Sequence, residues 1–226
     1  MAIEESSNVI RKWFTDHDWT FDETKLDDGL LLFTTDVAAG SPIFDGYDIS
    51  IVCRERDVQS TFSVPVKAMQ KRYAPVAEYL MRVNDRFRRG KWTLDYADGE
   101  ICFSIVKDSE AVETDTDGAM DDLIGFAECV CDGFAEGVVQ VIAGAKTPAQ
   151  AYEDAVARDD ADANDDNEGD VGNGTSNPPK NGVRVANAKR GKGKKRNGSA
   201  KSSPLAARHQ HTNGAAKATE KLKKGK

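Results

Sequence analysis

PVAEYLMRVNDRFRRGKWTLDYADGEICFSIV, residues 75–106, is the stretch whose reading decides the fold. Val66, Met69, Tyr73, Val76, Leu80, Val83 and Phe87 recur at spacings of three and four, which places them along one side of a helix. Pro75 interrupts that stripe, because proline lacks a backbone donor and clashes with the preceding turn. The pattern therefore predicts a helical lead-in over 66–73 and a kink or restart at Pro75. Arg86, Arg88 and Arg89 crowd the last turn, where the helix dipole favours cations, and Gly90 fits a left-handed C-terminal cap. Beyond it the period changes to two. Trp92, Leu94 and Tyr96, then Ile101, Phe103 and Ile105, alternate with smaller or polar residues around Asp98-Gly99. Asp-Gly between two alternating runs predicts a hairpin closed by a two-residue turn, with six apolar side chains on one face. The other face is mostly polar, as in an antiparallel sheet covered on one side.

Working outward, Ile3, Val9, Ile10, Trp13 and Phe14 predict a first helix over 3–14. Alternating or apolar runs predict strands at 30–33, 47–53 and 58–64, with Pro65 ending the last. Gly40, Ser41, Pro42 and Gly46 mark 36–46 as a loop. Its Ile43 and Phe44 have no periodic home, so they either fold back onto the core edge or form a contact patch for a partner. Asp108 to Asp122 reads as an acidic connection. A third helix follows, with Leu123, Phe126, Val130, Phe134, Val138 and Val141 as its core stripe. Thr147-Pro148 predicts an N-cap and first-turn proline for a short last helix through about Val156. These elements make an α+β fold with an antiparallel sheet of about five strands.

Tyr79-Leu80-Met81-Arg82-Val83-Asn84, Gly90, and Asp95-Tyr96-Ala97-Asp98-Gly99-Glu100-Ile101 together resemble the signature of YbjN-domain proteins. Val141-Ile142-Ala143-Gly144 followed by Thr147-Pro148 is similar to the end of that domain. The resemblance spans roughly residues 1–157. It implies a type III secretion chaperone-like fold, with helices on one face of the sheet, and membership of a bacterial sensory-transduction regulator family. It brings no catalytic residues or cofactor. Dimerisation and capture of a protein or peptide client are what it implies about partners.

The net charge of −7 averages three regions. Residues 1–152 hold 28 acidic against 15 basic residues, 153–170 hold nine against one, and 171–226 hold one against 15. Such asymmetry marks tails with electrostatic partners of their own. From Arg158 onward large apolar residues nearly vanish, too few to offset ordering entropy. An acidic disordered linker over 158–179 and a basic disordered tail over 180–226 are therefore predicted. Lys189, Arg190, Lys192, Lys194, Lys195 and Arg196, with Lys221, Lys223 and Lys224, are the candidate phosphate contacts. No aromatic residue follows Tyr152, so nucleic-acid binding there would be nonspecific. The acidic run, tethered nearby, would compete with phosphate for the tail. Met1-Ala2-Ile3-Glu4-Glu5 lacks the basic segment of a secretory signal, and Leu123–Ala145 carries Glu128, Asp132 and Glu136, costly in hydrocarbon. A reducing cytoplasmic setting without membrane association is the expectation.

Candidate chemical sites are few. His17 stands alone between Asp16 and Asp18 and reads as structural. Cys129 and Cys131, two apart on a helix, diverge too far to share a metal. Glu113 to Gly118 has alternating acids before a glycine, but Ile124 stands where a calcium loop needs its closing glutamate, so Asp115 or Asp117 reads as a helix cap. Gly125, Cys129, Gly133 and Gly137 form a small-residue stripe. Close approach there is by the domain's own helix or a dimer mate, making Gly133 and Gly137 candidate partner contacts with Ile43 and Phe44. No nucleophile–base pair or phosphate loop is visible, and a non-catalytic module is expected.

Overall fold

The computed structural model describes residues 2–165, with side chains from 3 to 161. The chain runs α1 (Ala2–Asp16), β1 (Asp22–Lys25), β2 (Leu31–Val37), β3 (Tyr47–Cys53), β4 (Asp57–Lys67), α2 (Tyr73–Arg86), β5 (Lys91–Leu94), β6 (Glu100–Asp108), α3 (Ser109–Thr114), α4 (Thr116–Met120), α5 (Ala127–Ala143) and α6 (Pro148–Asp165). The strands form one six-stranded antiparallel sheet in the order β1-β2-β3-β4-β6-β5.

Residues opposed across antiparallel strands share a face. One face therefore carries the rows Phe33–Ile51–Ser60–Ile105 and Ile49–Phe62–Phe103–Trp92. These close onto Ile10 and Phe14 of α1, Tyr79 and Val83 of α2, and Val130, Phe134 and Val138 of α5 in one core. Phe33, Phe62, Phe103 and Phe134 are essentially fully buried, each worth about 1.5–3 kcal/mol of transfer free energy.

The structure departs from the sequence reading at identifiable points. A sixth strand, β1, is present; its four residues, Asp-Glu-Thr-Lys, are all exposed and carry no alternation to betray it. The helical lead-in expected over 66–73 is present only in its second half, where a 3-10 turn, Gln70–Arg72, leads into the next helix. Strand β4 runs on through Lys67, and a register shift between Ser63 and Lys67 passes over Pro65, whose missing N–H is tolerated at such an irregularity. Helix α2 starts at Tyr73, which puts Pro75 in the first turn, where backbone donors are unpaired anyway, so no kink arises. Met69, assigned to the stripe, is exposed. The helix ends at Arg86 rather than at Gly90, because Phe87 turns extended to set its ring edge-on to Phe134 at 5.3 Å and Phe126 at 6.0 Å. The hairpin forms, but its loop spans Tyr96 to Gly99 and is closed by the Gly99 N–H on the Asp95 carbonyl at 2.8 Å. Only Gly99 has positive φ, and a Cβ there would collide with the Ala68 carbonyl. Tyr96 is thus exposed instead of joining the core face.

The expected acidic connection is largely helical: α3, α4 and a π-helical segment Asp121–Phe126 lead directly into α5. Asp115 caps α4, accepting from the Gly118 N–H at 3.1 Å. Thr147 caps α6 as predicted, its Oγ1 accepting from the Gln150 N–H at 3.3 Å. That helix continues past Val156 to Asp165, so the first residues assigned to a disordered linker are helical. Arg86 fastens them, donating to Asp159 at 2.8 Å and Asp160 at 2.9 Å, while Arg158 pairs with Glu136.

Candidate functional site

The segment between β2 and β3, residues 38–46, is tied to the middle of α5 by one side chain. Asp132 accepts the Gly40 N–H on both carboxylate oxygens at 3.0 Å, and the Ser41 N–H at 3.3 Å and the Tyr47 hydroxyl at 3.0 Å on Oδ1. Tyr47, at the start of β3, is buried; burial first, and then the Asp132 charge, push its phenol well above its ordinary pKa. Glu128, one turn earlier on α5, is pushed up to about 7, by burial first and then by Asp132. Cys131 is fully buried and its thiol lies well above its usual range, chiefly through burial. Asp132 uses its acceptors to hold a loop, so this cluster is built for positioning.

The structure thereby brings together the two regions that the sequence singled out, the loop and the third predicted helix. Phe44 folds back, its ring 6.0 Å from that of Tyr47, while Ile43 remains 41% exposed on the loop tip. Gly137 faces inward: the Tyr79 hydroxyl occupies the space a Cβ would need and donates to the Phe134 carbonyl at 2.7 Å. It is therefore a close-approach point for the domain's own α2 and not a partner contact. Gly133 is half-buried with Asp159 of α6 as its nearest neighbour. The tail residues Lys189, Arg190, Lys192, Lys194, Lys195, Arg196, Lys221, Lys223 and Lys224 lie outside the described residues.

On the second face of the sheet lie the rows Leu32–Val52–Gln59–Val106, Thr34–Ser50–Thr61–Ser104–Lys91 and Asp36–Asp48–Ser63–Cys102–Thr93. Leu32 and Val52 are buried yet belong to no part of the core cluster. Hydrogen bonds run along this face from Arg54 to Gln59 at 2.9 Å, Gln59 to Thr61 at 3.3 Å, and between Thr61 and Ser104 at 3.1 Å. Val106 is 55% exposed. The sheet edges differ from one another. At β5 the Asn84 side chain lies against the outer side: its Nδ2 donates to the Trp92 carbonyl at 3.0 Å and its Oδ1 accepts the Trp92 N–H at 2.6 Å. The amide completes the strand's pairing as a neighbouring strand would. At β1 the edge is short and charged, two features that discourage strand addition.

Asp132 was missed as an organising residue, whereas Asn84 is the satisfied hydrogen-bonding group that its sequence position leads one to expect, though its role at the sheet edge was not foreseen. An acid beside the apolar stripe of α5, where Glu128 and Glu136 also lie, was the available signal, since a half-buried carboxylate must find donors. Asn84 carried a weaker one, a polar residue beside the buried stripe. His17 stacks on Trp13 with ring centroids 4.3 Å apart, and its Nδ1 lies 2.8 Å from the Trp13 carbonyl at the end of α1. Among the described residues no three His, Cys, Asp or Glu side chains converge where they could hold a metal ion. None of the described helices is long and apolar enough to cross a membrane.

Comparison of the chain with family models, curated proteins and solved structures gives no match.

Proposed function

We propose that the folded domain is a non-catalytic, regulatory or chaperone-like protein-binding module of the YbjN kind, acting in the cytoplasm and capturing an extended segment of a client protein. The observation that supports this reading is the one-sided core: the helices pack on one face of the sheet, while the other carries rows of hydroxyl and short aliphatic side chains outside that core, with Gln59 and Thr61 half-buried and Val106 exposed among buried Ser50, Ser104, Leu32 and Val52. An extended peptide lies across such a face with its backbone near Ser, Thr and Gln side chains that both donate and accept. With Asn84 occupying the β5 edge, the face and the neighbouring 38–46 loop are better supported as the docking region than that edge. The test is affinity capture with the full chain, its Thr61→Arg and Val106→Glu variants, and Ile43→Asp. Loss of one and the same client with both sheet-face variants, without loss of folding by circular dichroism, supports the reading. Equal recovery by all variants refutes it.

A second reading follows from the charge of residues 171–226: a nucleic-acid-associated protein anchored nonspecifically by its tail. Truncation after Asp165 tests it, because α6 runs that far and Asp159 and Asp160 are engaged with Arg86. Steep salt-dependent DNA retention lost with the tail favours this reading. For the competing acidic run, neutralising Asp166, Glu168 and Asp170 is the clean perturbation, because a deletion beginning at Asp159 would remove part of α6.

A further inference from the structure

The 38–46 loop hangs on one carboxylate, and a second carboxylate sits one helical turn away. Asp132 receives three donors, the Gly40 and Ser41 N–H groups and the Tyr47 hydroxyl. Glu128 is half-buried and forms no hydrogen bond or ion pair among the described residues. Like charges at this spacing on a helix repel. Glu128 has no such donors, and its burial and then the neighbouring Asp132 charge disfavour its ionised form. The groups around Glu128 do nothing to offset its charge. From its own helix these are Asp132 and the Cys129 and Cys131 thiols; from β3, it is the Tyr47 hydroxyl, which senses the Glu128 charge. The loop's own titratable side chain, Asp45, is exposed and also acidic.

The geometry points to a pH-responsive latch: Asp132 holds the 38–46 loop closed while Glu128 is protonated, and the hold loosens once Glu128 is ionised. Opening the loop withdraws the Gly40 and Ser41 N–H groups from Asp132 and lets water reach that carboxylate, which screens its repulsion with an ionised Glu128, so the charged form of Glu128 favours the open arrangement. The upward displacement of Glu128 to about 7 from an ordinary 4.5 fixes the window. Because the closed form binds its proton more tightly, opening increases as pH rises from about 4.5 to 7 and levels off above that. If the loop caused the whole displacement, opening would change by about 300-fold; a share of it gives roughly tenfold or more.

Hydrogen exchange of the Gly40 and Ser41 amides in the full chain, at pH 5, 6, 7 and 8 and corrected for intrinsic rates, reads the latch directly and needs no client. The wild type should lose about tenfold or more in protection between pH 5 and 7, with little change from 7 to 8. Glu128→Gln and Glu128→Ala should hold one protection level across the series. Asp132→Asn keeps an acceptor but removes the neighbouring charge, and should show lower protection with a shallower pH dependence. Wild-type protection that is constant with pH, or a Glu128→Gln profile that falls like the wild type's, overturns the proposal.

Discussion

Replacing Asn84 by alanine removes both hydrogen bonds that close the outer side of β5. The lost contacts are Nδ2 to the Trp92 carbonyl at 3.0 Å and the Trp92 N–H to Oδ1 at 2.6 Å. A net ~0.5–1.5 kcal/mol for each gives ~1–3 kcal/mol together. Water can reach an edge strand and recover part of this, so about 2 kcal/mol is the expected loss, or ~4–8 °C in melting temperature for a domain of this size. Urea unfolding followed by tryptophan fluorescence measures it, and an unchanged m-value would show that the folded state stays compact. Asn84→Asp is the informative companion. It keeps an acceptor for the Trp92 N–H but faces the Trp92 carbonyl with a carboxylate, so it should be no more stable than the alanine variant. The bare edge should also make the alanine variant associate with rising concentration in sedimentation experiments. An Asn84→Ala protein within about 0.3 kcal/mol of wild type and monomeric at high concentration would refute the idea that this amide seals the sheet.

Glu128→Gln should match wild-type stability near pH 4.5 and exceed it at pH 8. Glu128 is raised to about 7, so its ionised form is disfavoured in the folded state and the cost accumulates as pH rises from 4.5 to 7. The full displacement corresponds to about 3 kcal/mol, and partial exposure reduces the expectation to ~1–2 kcal/mol, read from denaturation midpoints at the two pH values. Gly137→Ala gains up to ~1 kcal/mol of helix propensity but drives a methyl into the Tyr79 hydroxyl, for a net loss of ~1–3 kcal/mol; adding Tyr79→Phe should recover part of it. Cys129 alone is exposed among the four cysteines, so one thiol should react with Ellman's reagent in the native chain and the others only after unfolding. That reaction should itself be slow near neutral pH, because burial of the sulfur, more than its acidic neighbours, raises the Cys129 thiol.

Most of what depended on hydrophobic period was legible in the sequence, Met69 and Tyr96 excepted. Val76, Leu80 and Val83 on α2, Trp92 with Phe103 across the hairpin, and Phe126, Val130, Phe134 and Val138 leading into and along α5 all fall where their spacing places them. What escaped depended on polar pairing or on packing that overrides local preference. Strand β1 exists because its backbone pairs with β2, and side-chain patterning carries no trace of that. Phe87 ends α2 early because its ring gains more against Phe126 and Phe134 than another helical turn offers. Asp132 is invisible as a hub because its partners are backbone N–H groups 91 and 92 residues earlier, which one sequence cannot pair with it.

The second sheet face and the basic tail also differ in the kind of binding they can support, and salt separates them. Leu32 and Val52 are only 5% and 4% exposed, so a client on the sheet face gains little from newly buried apolar area. Ser50 and Ser104 are buried as well, so its binding must come from hydrogen bonds to half-buried Gln59 and Thr61 and from contact with Val106 and Ile43. The central row, Ser50–Thr61–Ser104, is uncharged, and affinity there should change little between 50 and 200 mM salt. Phosphate contacts behave oppositely: each one neutralised adds about −0.9 to the slope of log affinity against log salt. Nine engaged tail residues would give a slope near −8, a loss of roughly 10⁵-fold over the same range. A client captured by the full chain that survives 200 mM salt therefore belongs to the domain, and one released there belongs to the tail. A salt-resistant client lost on truncation after Asp165 would break that division, because it would require residues 166–226 to bind by something other than charge.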